Sequence, residues 1–153
     1  MTYRAVSANE LRQLIGKDLE PSPWVLLDQE RINGFADITE DHQFIHIDPA
    51  KAKATPFGGT IAHGLLTLSM LPSLIEKTLP ALEGMKASIN YGYNKVRFLA
   101  PVRSGKRVRA KFVITDFTEA GEGRYQVITA ITVEIEGEEK PALAAEWISM
   151  ILV

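Results

Sequence analysis

The hydrophobic rhythm of the chain changes near Met85. Before it, apolar residues recur three and four positions apart; after it, they recur at every second position. These are the periods of helix and strand. In the first half, Ser7 and Glu10 have capping-box spacing ahead of Leu11, Leu14 and Ile15, and Gly16 stands where that short helix should stop. Trp24 to Leu27 reads as a strand, and Asp28 then serves as N-cap for a helix showing Ile32, Phe35 and Ala36 on one side and ending near Thr39. Asp48-Pro49 has the form of a cap and first helical position, opening a short helix through Ala54.

Pro56-Phe57-Gly58-Gly59-Thr60 reads as a loop that delivers the chain into a helix predicted from Ile61 to about Thr78. Over Ile61 to Leu71 this segment has no charged face: Ile61, Ala62, Leu65, Leu66, Leu68, Met70 and Leu71 go nearly all the way round. A helix apolar on every side is a buried helix. The second half supplies its wrapper. Val108, Ala110 and Phe112 alternate with Arg107, Arg109 and Lys111; beyond Gly121-Glu122-Gly123, the residues Tyr125, Val127, Thr129, Ile131, Val133 and Ile135 alternate with a more polar set. Gly137 marks another turn, and Trp147 to Val153 closes the chain. Long strands joined by short turns are antiparallel, and a strongly bent antiparallel sheet curled around one apolar helix buries both. The predicted class is therefore α+β. Pro72 should kink the central helix by freeing the carbonyl of Leu68.

Composition narrows the function classes. Seventeen Lys and Arg against 19 Asp and Glu leave a net charge of -2 over 153 residues, which is no footprint for non-specific nucleic-acid binding. No linker or repeat divides the sequence, so one domain over residues 1–153 is expected. The lack of Cys excludes a disulfide framework, a thiolate nucleophile and Cys-ligated metal, and a reducing cytoplasm is the expected compartment. Met1 to Lys17 lacks the apolar core of a secretion signal. Ile61 to Ile75 is too short for the roughly 20 apolar residues of a membrane span, so no membrane partner is expected.

The candidate chemistry is concentrated. His42, His46 and His63 all lie within 22 residues, with Asp41 beside the first. A carboxylate and an imidazole five residues apart do not share a helix face. They converge only if the chain loops there, and Gln43-Phe44-Ile45 before Asp48-Pro49 is compatible with that. Taken alone, Asp41 and His46 read more simply as an ordinary capping or surface pair. A metal site from Asp41, His42, His46 and His63 has valid ligands but lacks zincin spacing; no metal is expected. Gly58 and Gly59 lack the Walker lysine and fit a tight backbone turn before the helix.

The run Asp41-His42-Gln43-Phe44-Ile45-His46-Ile47-Asp48-Pro49, a short Ala/Lys helix, and Pro56-Phe57-Gly58-Gly59-Thr60-Ile61-Ala62-His63-Gly64 together resemble the hydratase motif of MaoC-like, (R)-specific enoyl-CoA hydratases, particularly their NodN-like branch. Val96-Arg97-Phe98 and Pro101-Val102 continue the likeness, which covers about Trp24 to Val153. The resemblance implies a hot-dog fold and reversible hydration of trans-2-enoyl-CoA to (R)-3-hydroxyacyl-CoA. Asp41 and His46 would hold the attacking water, and the N–H of Gly64 would face the thioester oxygen. Such a donor stabilises the enolate charge that develops there, typically by about 10²–10³ in rate; the acid–base pair is worth roughly 10²–10⁴. The sequence leaves open which of the two holds the proton at each step.

The same resemblance implies an acyl-CoA or acyl-carrier thioester substrate, a homodimer with pockets at its interface, and no cofactor, coenzyme A being part of the substrate. Phe57, Gly58, Gly59, His63, Asn90, Gly92 and Arg97 are the candidate substrate contacts. Each has a plainer alternative: loop geometry for Phe57 to Gly59, a helix-start neighbour bonded to backbone for His63, a bend for Asn90 and Gly92, a solvated strand face for Arg97. Arg103, Lys106, Arg107, Arg109 and Lys111 meet either the coenzyme phosphates or solvent. Two departures stand out: Gln43-Phe44 where many relatives have Asn-Pro, and Pro72 where some carry an auxiliary Ser. A hot-dog thioesterase and a non-catalytic acyl-binding protein are the alternatives.

Overall fold

The computed structural model describes residues 4–153; Met1 to Tyr3, the start of the N-terminal stretch read against a secretion signal, lie outside it. Short elements fill the first half: β1 (Ala5–Val6), α1 (Ala8–Arg12), β2 (Val25–Leu27), α2 (Gln29–Thr39), α3 (Phe44–Ile47), α4 (Pro49–Lys53), α5 (Gly64–Ser69) and α6 (Leu71–Ile75). Then come β3 (Ala81–Leu82) and four long strands, β4 (Ala87–Phe98), β5 (Lys106–Glu119), β6 (Arg124–Ile135) and β7 (Leu143–Leu152). The predicted caps form as spaced. Ser7 and Glu10 bond reciprocally, Asp28 accepts from the Arg31 N–H, and Asp48 accepts from Lys51 ahead of Pro49.

The sheet runs in the order β2-β5-β6-β7-β4, antiparallel throughout, while β1 and β3 pair in parallel as a small second sheet. Register places Phe112 opposite Ile131 and Ile131 opposite Ala145. One face of the sheet is therefore a continuous apolar floor of Val108, Ala110, Phe112, Ile131, Val133 and Leu143, against which Leu66, Leu71 and Leu74 of α5 and α6 are buried. Register shifts at Ile114/Asp116, Asn90/Gly92 and Tyr93/Lys95 add the local twist that curls a long sheet around its helix.

Three expectations are corrected. The central helix is two pieces that meet at Met70, beginning at Gly64 and ending at Ile75. Pro72 lies in the first turn of α6, where its missing N–H forfeits no internal bond. The helix is also not buried all round, because Leu65 is 59% exposed. The last strand begins at Leu143, four residues before Trp147, since Leu143 and Ala145 continue the alternation. Lys106, Arg107, Arg109 and Lys111 pair with Glu138, Glu136 and Glu134 of the neighbouring segment. Among the described residues no helix is long and apolar enough to cross a membrane.

Candidate active site

The site begins where α2 stops. Glu40 takes a left-handed conformation, φ 63°, and reverses the chain so that Asp41 leads back toward the sheet. The expected loop contains a single helical turn, α3, which carries His46 on its buried side. Gln29 fixes this turn: its Nε2 donates to the His46 carbonyl at 2.7 Å while its Oε1 accepts from the Thr60 hydroxyl. Gln29 was missed by sequence reasoning, although it is legible as a polar residue in the stripe of Ile32 and Ala36. Backbone bonds from Ile61 N–H to the Ile45 carbonyl, 2.9 Å, and from Ala62 N–H to the Val102 carbonyl, 2.7 Å, then lay the start of the central helix beside α3.

His46 is 6% exposed, and its Nδ1 lies 2.7 Å from the Ile61 carbonyl. A carbonyl only accepts, so Nδ1 carries the hydrogen and Nε2 of the neutral ring is a bare acceptor. Burial holds the His46 pKa below its usual 6.5; the Ile61 bond opposes this, His63 reinforces it and Asp41 opposes it. His63 lies behind His46, its ring stacked at 3.8 Å and 25°, with the ring of Phe35 4.9 Å away. The ligating atoms of Asp41, His46 and His63 all lie within 4.8 Å of one another. Asp41 is exposed. His42, one residue on, turns outward to Asp37 at 2.9 Å, a bond that raises its pKa.

This trio is a poor metal site on geometric grounds. Zinc requires nitrogen lone pairs aimed at one point about 2.0–2.1 Å away. Two stacked, nearly parallel imidazoles send theirs side by side.

A cavity of about 370 Å³ opens against His46, Ile61, Gly64, Leu65, Thr67 and Phe98. Gly64 is the first residue of α5, so its N–H has no acceptor in the preceding turn. Space is tight at this glycine: a Cβ there would stand 2.8 Å from Cδ1 of Phe98, so that ring would have to move. Thr67, buried one turn further along the cavity wall, was missed because one hydroxyl in a helical apolar run carries no signal. Asp41, His46, His63 and Gly64 are thus gathered at one end of the central helix.

The remaining candidates are not. The Phe57 carbonyl accepts from Arg103 Nε at 2.7 Å, and Phe57, Gly58 and Gly59 stay in the loop outside this cavity, Gly58 with φ 71°. Asn90 borders a second cavity of about 550 Å³ under α6, Gly92 sits at a β4 register shift, and exposed Arg97 donates to the Val96 carbonyl.

Residues 10–136 match the family described as MaoC like domain. The chain is a MaoC-like protein. It is 48% identical over 147 residues to 3-hydroxyacyl-thioester dehydratase Z of Mycobacterium tuberculosis, covering 96% of this chain and 95% of that one. Nodulation protein N of Rhizobium meliloti is 45% identical over 146 residues, with 95% and 91% covered. Among solved structures, the (R)-hydratase from A. caviae involved in PHA biosynthesis superposes with a TM-score of 0.67 at 27% identity, over 87% of this chain and 95% of that one. The MaoC-like chain accordingly has the hot-dog fold, a curled five-stranded antiparallel sheet around a short central helix.

Proposed function

We propose that this protein reversibly hydrates trans-2-enoyl thioesters of coenzyme A or an acyl carrier to the (R)-3-hydroxyacyl form. The observation that carries this reading is the buried His46 ring, whose Nε2 is a bare acceptor and which has a nitrogen within 4.8 Å of an Asp41 carboxylate oxygen, beside a cavity that Gly64 also borders. The name of the mycobacterial relative, a 3-hydroxyacyl-thioester dehydratase, describes the reverse reaction. The (R) configuration is supported by the hydratase from A. caviae.

In this mechanism water sits between Asp41 and His46. Its oxygen bonds to C3 as one of its protons passes to His46 Nε2, and the C2–C3 π electrons move toward the carbonyl, giving an enolate. The Gly64 N–H donates to that oxygen. α5 has only six residues, so a directed hydrogen bond, rather than a long helix dipole, does the stabilising. C2 then takes a proton from the Asp41–His46 pair, and the sum is addition of one water. No redox cofactor enters, coenzyme A being part of the substrate.

The protein works as a homodimer in this reading. β4 is an edge of the sheet, and Ile89, Tyr91 and Phe98 on it, with Leu65 of α5, are exposed large apolar side chains. Such an edge and patch favour self-association.

The test is incubation with crotonyl-CoA and a longer enoyl-CoA, followed by chiral analysis. Loss of the conjugated enoyl absorbance with the thioester intact is expected. Release of free coenzyme A thiol would make the protein a thioesterase, and binding without turnover would make it an acyl-binding protein.

A further inference from the structure

The pair on which the proposed reaction rests is poorly fixed by its own contacts. Asp41 is exposed, and its carboxylate accepts one long bond from the Gln43 N–H at 3.4 Å. The His46 ring is pinned at one edge by Ile61, while its faces need support. His63 meets both needs. It is 3% exposed, its Nε2 lies 3.0 Å from the Asp41 carbonyl, and its ring covers a face of His46 at 3.8 Å. The Asp41 carbonyl only accepts, so Nε2 of His63 carries the hydrogen. Its Nδ1 is then bare, and it is buried with no protein partner.

We propose that His63 is a positioning residue, which holds the Asp41 main chain with one ring edge and the His46 ring with one face, and so sets the gap that the attacking water spans. The inference rests on the hydratase reading. His63 does not line the cavity, and its free nitrogen is closed off; it acts through its two neighbours and touches no substrate. Phe35 completes the stack from behind.

Two variants separate this role from simple packing. His63→Phe keeps an aromatic ring and loses the donor to Asp41; His63→Gln loses the ring and keeps an amide donor near the Nε2 position. A misplacement of about 1 Å costs on the order of 10²-fold in rate. His63→Phe should therefore lose roughly 30- to 100-fold in kcat with KM held within about threefold, and His63→Gln should retain more of kcat than His63→Phe. A kcat for His63→Phe within about threefold of wild type, a loss expressed in KM instead, or a His63→Gln no better than His63→Phe overturns the proposal.

Nitrogen-15 NMR of the unmodified protein decides the geometry even where a variant fails to fold. The expected signature is a hydrogen on Nε2 of His63 bonded to the Asp41 carbonyl and a hydrogen on Nδ1 of His46; an Nε2 of His63 without a hydrogen overturns the proposal. A wild type inactive on enoyl thioesters overturns the hydratase reading and leaves the tautomers as the test of the geometry. An active wild type with an undiminished His63→Phe variant overturns the role of His63 alone.

Discussion

The two ends of the split central helix face the same sheet and differ in chemistry. At the α5 end, a cavity of about 370 Å³ is bordered by a buried imidazole and by a glycine whose N–H has no helical acceptor. At the α6 end the cavity is larger, about 550 Å³, and is bordered by Glu76, Thr129, Trp147 and Ser149 and by apolar groups such as Ile75 and Val127. No His borders it. The larger hollow is the poorer candidate for catalysis. An imidazole is the side chain whose ordinary pKa lies nearest neutral pH, and of the two cavities only the one at the α5 end is bordered by one.

The most severe way to break this contrast is to remove the pair at the α5 end. Asp41→Asn and His46→Gln should each lower hydration of an enoyl-CoA by at least about 10²-fold, with the melting temperature of Asp41→Asn near wild type because Asp41 is exposed. Retention of turnover by Asp41→Asn would remove Asp41 from the mechanism. Gly64→Ala comes next. The new methyl group meets the Phe98 ring at 2.8 Å, and Phe98 is half exposed and free to swing aside. The expected result is a kcat loss of about 10- to 100-fold as the moved Phe98 ring reshapes the cavity wall it shares with His46, measured in steady state, with little change in melting.

A milder probe is pH. Burial holds His46 below 6.5, so the neutral base persists into acid, and the acid limb of kcat/KM should have its midpoint below that value. A midpoint above it would assign the limb to another group. The same depression has a stability consequence. The unfolded chain takes up the proton first, so the His46 contribution is full above pH 6.5 and is lost as pH falls through the lower folded value. The smallest effect belongs to the α6 end. Trp147 Nε1 is buried without a protein partner. Trp147→Phe loses packing but relieves an orphaned donor that costs about 1–3 kcal/mol, and chemical denaturation should find stability within about 1 kcal/mol of wild type. Turnover of a short enoyl-CoA should not change.

The two halves of the chain also differ in how readily their sequence discloses them. In β5 and β6 each residue's face is fixed by a period of two and by pairing with the next strand, so Phe112 and Ile131 were legible as core. The caps at Ser7, Asp28 and Asp48 were legible because each is a bond spanning three residues. Asp41, His46 and Gly64 were found through a resemblance and not through periodicity. Their meeting depends on the left-handed turn at Glu40 and on the tie from Gln29 to the His46 carbonyl, which joins residues 17 apart. The exposure of Leu65 was hidden for a different reason: an apolar residue in an apolar run gives no sign of which side faces the sheet. The break at Met70 lies two residues before Pro72, which takes a first-turn position of α6 in place of an interior one.

In the proposed reaction Asp41 and His46 deliver water to C3 of an enoyl thioester and not to its carbonyl carbon. Turnover of crotonyl-CoA in water enriched in oxygen-18, read by mass spectrometry, tests this directly. The account predicts one heavy oxygen in the C3 hydroxyl of an intact (R)-3-hydroxyacyl thioester. Heavy oxygen in a released carboxylate, with free coenzyme A thiol beside it, would contradict it.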